Sequence, residues 1–168
     1  MILKKIGYFF DLNREEISKS ILVEKINYPR DRVLAYLKSG VEIFAWLEYV
    51  SCMYSCVNKN VGFVEYSDGI WVWTSEFIHY VEFHDIAIPE SFLDYMENRS
   101  FSIDNSETLA ILNNLSNDSA SIESLISYSD QYWRSWLLSK CPKCEERIIN
   151  KDDDKKIINT GYQLPDDW

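Results

Sequence analysis

The sequence predicts an α+β fold, a small, mainly antiparallel sheet with packed helices and a C-terminal helical hairpin. Three observations carry this. β-branched and aromatic residues crowd two runs flanking Ser67-Asp68-Gly69, the apolar period lengthens from two to three and four after Thr74, and strand-like and helix-like stretches are segregated instead of alternating as βαβ units. A chain of 168 residues with 46% hydrophobic content supports one domain with its own core. Residues 1–150 are assigned to that single domain and 151–168 to a charged C-terminal tail.

Taken in order, Ile6-Gly7-Tyr8-Phe9-Phe10 reads as a short aromatic strand. Ile17, Ile21, Leu22 and Val23 among charged residues give a weak helical pattern over 13–26. Pro29 followed by Val33, Leu34 and Leu37 fits a helix with proline in its first turn, and Gly40 fits the position just past its end. Residues 41–57 are compatible with a strand or a buried helix; their β-branched and aromatic content favours the strand. Val61–Tyr66 and Ile70–Trp73 flank Asp68-Gly69, a hairpin signal because glycine accepts positive φ.

Thr74 or Ser75 caps a helix carrying Phe77, Ile78, Val81 and His84 at helical spacing. Pro89 opens another, with Phe92, Leu93 and Met96 on one face. Asp104 followed three later by Glu107 has the form of a capping box. Ile122, Leu125, Ile126, Trp133, Trp136 and Leu137 form the longest helical pattern and pair with the preceding helix as the hairpin. The run Lys151-Asp152-Asp153-Asp154-Lys155-Lys156 reads as a solvated loop, and Gly161–Trp168 as a tail that is either mobile or docked through Tyr162, Leu164 and Trp168.

The net charge of -10 is unevenly spread. Residues 1–40 hold eight Lys/Arg against five Asp/Glu; residues 41–139 hold three against fifteen; residues 140–168 hold six against seven. The surplus therefore lies in the middle of the chain. Such a field repels nucleic acid and anionic lipid, and steers a basic protein. No apolar run is long enough to span a membrane, and the N-terminus lacks the ordered regions of a signal peptide, so a cytoplasmic protein is expected. Four cysteines are compatible with a reducing compartment.

Catalytic signatures are lacking. There is no Gly-x-Ser-x-Gly elbow, no Gly-rich phosphate loop and no recognisable catalytic-cysteine signature, so no enzyme and no cofactor are expected. Cys141-Pro142-Lys143-Cys144 has the spacing of half a zinc site, and Cys52 and Cys56 can supply the other half. The apolar surroundings of Cys52 and Cys56 favour inert thiols, and no metal is assigned. His79 and His84 stand five apart, not the i, i+4 pair of a zinc-protease helix, and His79 falls off the apolar stripe, so both are read as structural and His79 as exposed. Six Trp, eleven Tyr and eight Phe suit a core and interface anchors; without basic residues beside them they do not suggest a nucleic-acid groove.

Tyr36-Leu37-Lys38-Ser39-Gly40, then Ser67-Asp68-Gly69-Ile70-Trp71-Val72-Trp73, Tyr80-Val81 and Ile88-Pro89-Glu90-Ser91-Phe92 resemble a "YLxxG … DGxWxW … YV … LPxxF" pattern. That pattern occurs in immunity or immunity-like proteins of bacterial polymorphic and contact-dependent growth-inhibition toxin systems. The likeness spans about residues 30–97, with Thr74 where the pattern usually has proline. It implies a protein that binds and neutralises a cognate basic toxin domain, such as a nuclease, by occluding its active site with an acidic surface. The alternatives are an acidic regulatory or scaffold module and a small zinc-binding protein. Glu65, Asp68, Glu76, Glu82, Asp85 and Asp94 are the acids expected at the partner surface, while the spaced tryptophans and glycines are expected to build the fold.

Overall fold

The computed structural model describes residues 2–9, 14–54, 56, 60–115 and 127–142. Its strands are β1 (Ile2–Ile6), β2 (Val41–Ser51), β3 (Asn60–Ser67), β4 (Trp71–Thr74) and β5 (Ser127–Ser129). The helices are α1 (Arg14–Ile21), α2 (Arg30–Lys38), α3 (Ser75–Phe83), α4 (Glu90–Asn98), α5 (Asn105–Leu115) and α6 (Gln131–Lys140). The fold is α+β, as the sequence predicts.

The five strands form one sheet in the order β2-β3-β4-β1-β5. The β2-β3-β4 half is an antiparallel meander, but β1 runs parallel to both of its neighbours, with Lys4 opposite Trp71 and Leu3 opposite Tyr128. The sheet is therefore mixed. The β3–β4 hairpin comes from a local turn, whereas β1 meets β4 only through a crossover containing α1, α2 and two strands.

Local chemistry explains the best-defined elements. In the β3–β4 turn, Gly69 has φ +89°, and the Asp68 carboxylate accepts from the backbone N–H groups of Ile70 (2.9 Å) and Trp71 (2.7 Å). The Thr74 hydroxyl caps α3, accepting from Phe77 N–H (3.1 Å) and donating to the Gly7 carbonyl (2.8 Å). Asp104 accepts from the N–H groups of Ser106 and Glu107 at the start of α5.

Two expectations are corrected. The first strand is Ile2–Ile6, not 6–10: Gly7, at φ +73°, ends it, and Phe9 turns into the core edge-on to Tyr80 and Trp133. No continuous helix covers 122–137, because Ser127–Ser129 pairs with β1 and α6 begins only at Gln131. Residues 116–126 and the tail 151–168 lie outside the described residues, and so does any second arm of the expected C-terminal hairpin that they contribute.

All four residues of β4 are buried although successive side chains point to opposite faces, so this strand is covered on both sides. Trp73 donates its indole N–H to the Leu37 carbonyl (3.1 Å) and packs with Tyr36 and Phe92; Trp71 packs with Phe92, Tyr95 and Tyr132. Tyr36 donates its hydroxyl to Asp68. The residues of the tryptophan pattern thus form one contact set joining α2, the turn, β4 and α4. At the other end of the sheet, Trp133 on α6 donates to the Tyr8 carbonyl (2.9 Å).

Candidate functional site

The six acids expected at a partner surface divide into three groups. Asp68 and Glu76 are 2% and 1% exposed and belong to the fold. Asp68 organises the turn described above. Glu76, on α3, accepts from Arg14 (2.6 Å) and from the Tyr80 hydroxyl; burial pushes its carboxyl pKa up, with Tyr80 and Arg14 opposing the shift. Periodicity marks both as polar positions on a surface, but each is used by a local hydrogen-bond network. Glu65 is half-buried and faces Tyr8, whose phenol is held well above its usual range first by burial and then by the Glu65 charge. Glu82 pairs with Lys38 (2.7 Å) and Asp85 with Arg30, both at the surface. Asp94 is exposed on α4. The structure thus leaves Glu82, Asp85 and Asp94 reachable from solvent.

A second surface was not foreseen. β2 lies at the edge of the sheet, and on it Trp46, Leu47 and Tyr49 are 52%, 103% and 75% exposed. Its register with β3 shifts between Glu42 and Phe44 and again between Trp46 and Tyr49. Such irregularities twist an edge and interrupt its regular row of backbone donors and acceptors. The strand consequently offers side chains more readily than a template for strand addition. The same apolar content that marks residues 41–57 as a strand hid the fact that part of it faces solvent.

Where β2 ends, the chain returns over α3. Ser51 gives its carbonyl to Arg14 (2.6 Å), Met53 N–H donates to the Tyr80 hydroxyl (3.3 Å), and the Tyr54 hydroxyl donates to the Ser18 carbonyl (2.9 Å). These bonds place Cys52 and Cys56 above His79 on α3 and His84 at its C-terminal cap. Cys52 Sγ lies 3.3 Å from His84 Nε2, and Cys56 Sγ lies 3.3 Å from His79 Nε2. One donor atom from each of the four residues falls within 4.8 Å of all the others. His79 is only 6% exposed, which corrects the expectation of a solvent-facing ring; the other three are half-buried. Tyr54 packs at a tilt against His84 and Phe83 against His79, walling the cluster.

Burial pushes the Cys52 thiol up and both imidazoles down, the His84 shift being reinforced by His79 beside it. Both directions favour neutral partners, the reverse of the thiolate–imidazolium couple of a cysteine nucleophile. The set weighed from sequence, Cys52 and Cys56 with Cys141 and Cys144, is not the one assembled. Cys141 is buried and disulfide-bonded, and Cys144 lies outside the described residues. Among the described residues, no helix is long and apolar enough to cross a membrane. Comparison of the chain with protein-family models, with curated proteins and with solved structures returns no match.

Proposed function

We infer that this protein is a contact protein that binds a basic bacterial toxin domain and neutralises it by covering its active site, in the manner of an immunity protein. The observation that carries this reading is the exposed Trp46-Leu47-x-Tyr49 surface on edge strand β2, within the segment that holds fifteen acids against three bases. Trp and Tyr are the residue types that anchor protein interfaces, since each contributes a large rigid area at small entropic cost. Exposed Glu42 on the same strand, exposed Asp85 and Asp94 and half-buried Glu82 on or beside the helices supply a negative field that speeds encounter with a cationic partner. The resemblance of the tryptophan pattern to immunity proteins supports the choice of a toxin as that partner. A nuclease fits this chemistry, because its phosphate-binding groove is cationic.

The test is binding and protection. The purified chain is titrated into the product of the neighbouring toxin-like gene, and the two are co-expressed in a sensitive cell. The reading requires a salt-dependent complex and rescue of growth. A neighbouring product that neither binds nor poisons the cell overturns it.

A further inference from the structure

We propose that Cys52, Cys56, His79 and His84 form a structural zinc site that fastens the end of β2 to α3, a feature independent of which partner the protein binds. The argument begins with spacing. Cys52 and Cys56 are separated by three residues and His79 and His84 by four. These intervals fall within the ranges typical of closed zinc sites, two to four residues between cysteines and three to five between histidines.

The geometry then brings the two pairs together. In a tetrahedral site with Zn–S of ~2.3 Å and Zn–N of ~2.0–2.1 Å, sulfur and nitrogen ligands are separated by about 3.5 Å. Two of the four sulfur–nitrogen pairs, Cys52–His84 and Cys56–His79, stand at 3.3 Å, and the whole set lies within 4.8 Å. Both imidazoles present Nε2 to the cysteine sulfurs. Two donors come from the chain after β2 and two from α3 and its C-terminal cap, so a metal at their centre bonds both segments.

The chemistry of the set matches Zn2+. Two soft thiolates and two imidazoles suit zinc over magnesium or calcium, which take oxygen ligands. Binding converts two thiols to thiolates and releases two protons, while the imidazoles bind as neutral ligands. The dication and two thiolates sum to zero charge, which suits a half-buried site walled by Tyr54 and Phe83. Four protein ligands leave no open position for water or substrate, so the site is structural and not hydrolytic. The Arg14–Ser51, Met53–Tyr80 and Tyr54–Ser18 hydrogen bonds hold the loop in place around the site.

The experiment uses the full chain, purified without a metal-binding tag under reducing conditions, with metal content measured directly. Co2+ is then exchanged in as a probe. The expected result is one zinc per chain, and a Co2+ form showing the ligand-field bands of a tetrahedral site with sulfur-to-metal charge transfer. Cys56→Ser and His84→Gln should each abolish stoichiometric metal, while Cys141→Ser should retain it. The wild-type stoichiometry and Co2+ spectrum decide the matter even if a ligand variant fails to fold. The proposal is overturned by wild-type chain that takes up neither metal, by an octahedral or sulfur-free Co2+ spectrum, or by loss of metal in Cys141→Ser with retention in His84→Gln.

Discussion

The hydroxyl of Tyr36 on α2 donates to the carboxylate of Asp68 in the β3–β4 turn, a buried bond between residues 32 positions apart. The other carboxylate oxygen already accepts two backbone N–H groups, and the Asp68 carbonyl accepts from Thr108 (3.1 Å). A residue that looks like a solvent-facing turn aspartate therefore joins α2, the turn and α5. Tyr36→Phe should cost about 1–3 kcal/mol, since it leaves a buried acceptor short of a partner. Asp68→Ala should cost more, whereas Asp94→Ala should stay within about 0.5 kcal/mol. Denaturant unfolding of the three variants checks the order.

Glu76 gives a pH prediction. Burial raises its carboxyl pKa in the folded chain above the unfolded value, with Tyr80 and Arg14 opposing. A raised folded value means that the group's contribution is fully present below the ordinary carboxylate range and is lost as pH climbs through the folded value. Glu76→Gln does not titrate there. Its melting temperature relative to wild type should therefore rise between about pH 4 and pH 7, followed by thermal unfolding across that range.

The imidazoles give the opposite slope. With metal removed by a chelator, His79 and His84 have folded pKa values held below the usual imidazole value, His79 and His84 both chiefly by burial. Their contribution is present above about pH 6.5 and is lost as pH falls through the folded values. Chelated wild type should lose stability between about pH 6.5 and pH 5 more steeply than His79→Gln/His84→Gln, measured by urea midpoints at each pH.

Exposure of Trp46 and Tyr49 separates binding from folding. Trp46→Ala and Tyr49→Ala should change stability by less than about 0.5 kcal/mol. Each should weaken the proposed complex with a toxin domain by about tenfold or more, as expected of interface anchors. Calorimetric titration with the toxin domain, beside a melting curve for each variant, reads both quantities. Reversing Glu82, Asp85 and Asp94 together should flatten the salt dependence of binding without removing it.

Much of the fold is legible because its signals are local. Asp68-Gly69 marks its turn, Thr74 its cap, and Pro89 the start of α4, each through chemistry spanning four residues or fewer. The β1–β4 pairing is not legible, since Ile6 and its partner Trp73 are 67 residues apart and nothing near either announces the other. The cysteine–histidine cluster is half legible. Its two spacings stand in the sequence, but the cysteines invite pairing with Cys141 and Cys144, and the histidines invite comparison with an i, i+4 helical pair. What joins them is the packing of α3 beside β3 and the return of the chain after β2, which no short window contains. Burial of Asp68 and Glu76 was hidden for the same reason, as their partners Tyr36 and Arg14 lie 32 and 62 residues away.

The interior position of β1 has a consequence for how the protein is made. β1 is synthesised before the other described strands, yet both strands that flank it arrive late, at residues 71–74 and 127–129. At a synthesis rate of ~5–20 residues per second, Ile6 waits roughly 3–13 s for β4 and about twice as long for β5. During that interval Leu3 and Ile6 stand without the neighbours that bury them, and the nascent chain is open to capture by chaperones or by other copies of itself. Because β5 pairs only with β1, the sheet is complete only when residues 127–129 arrive.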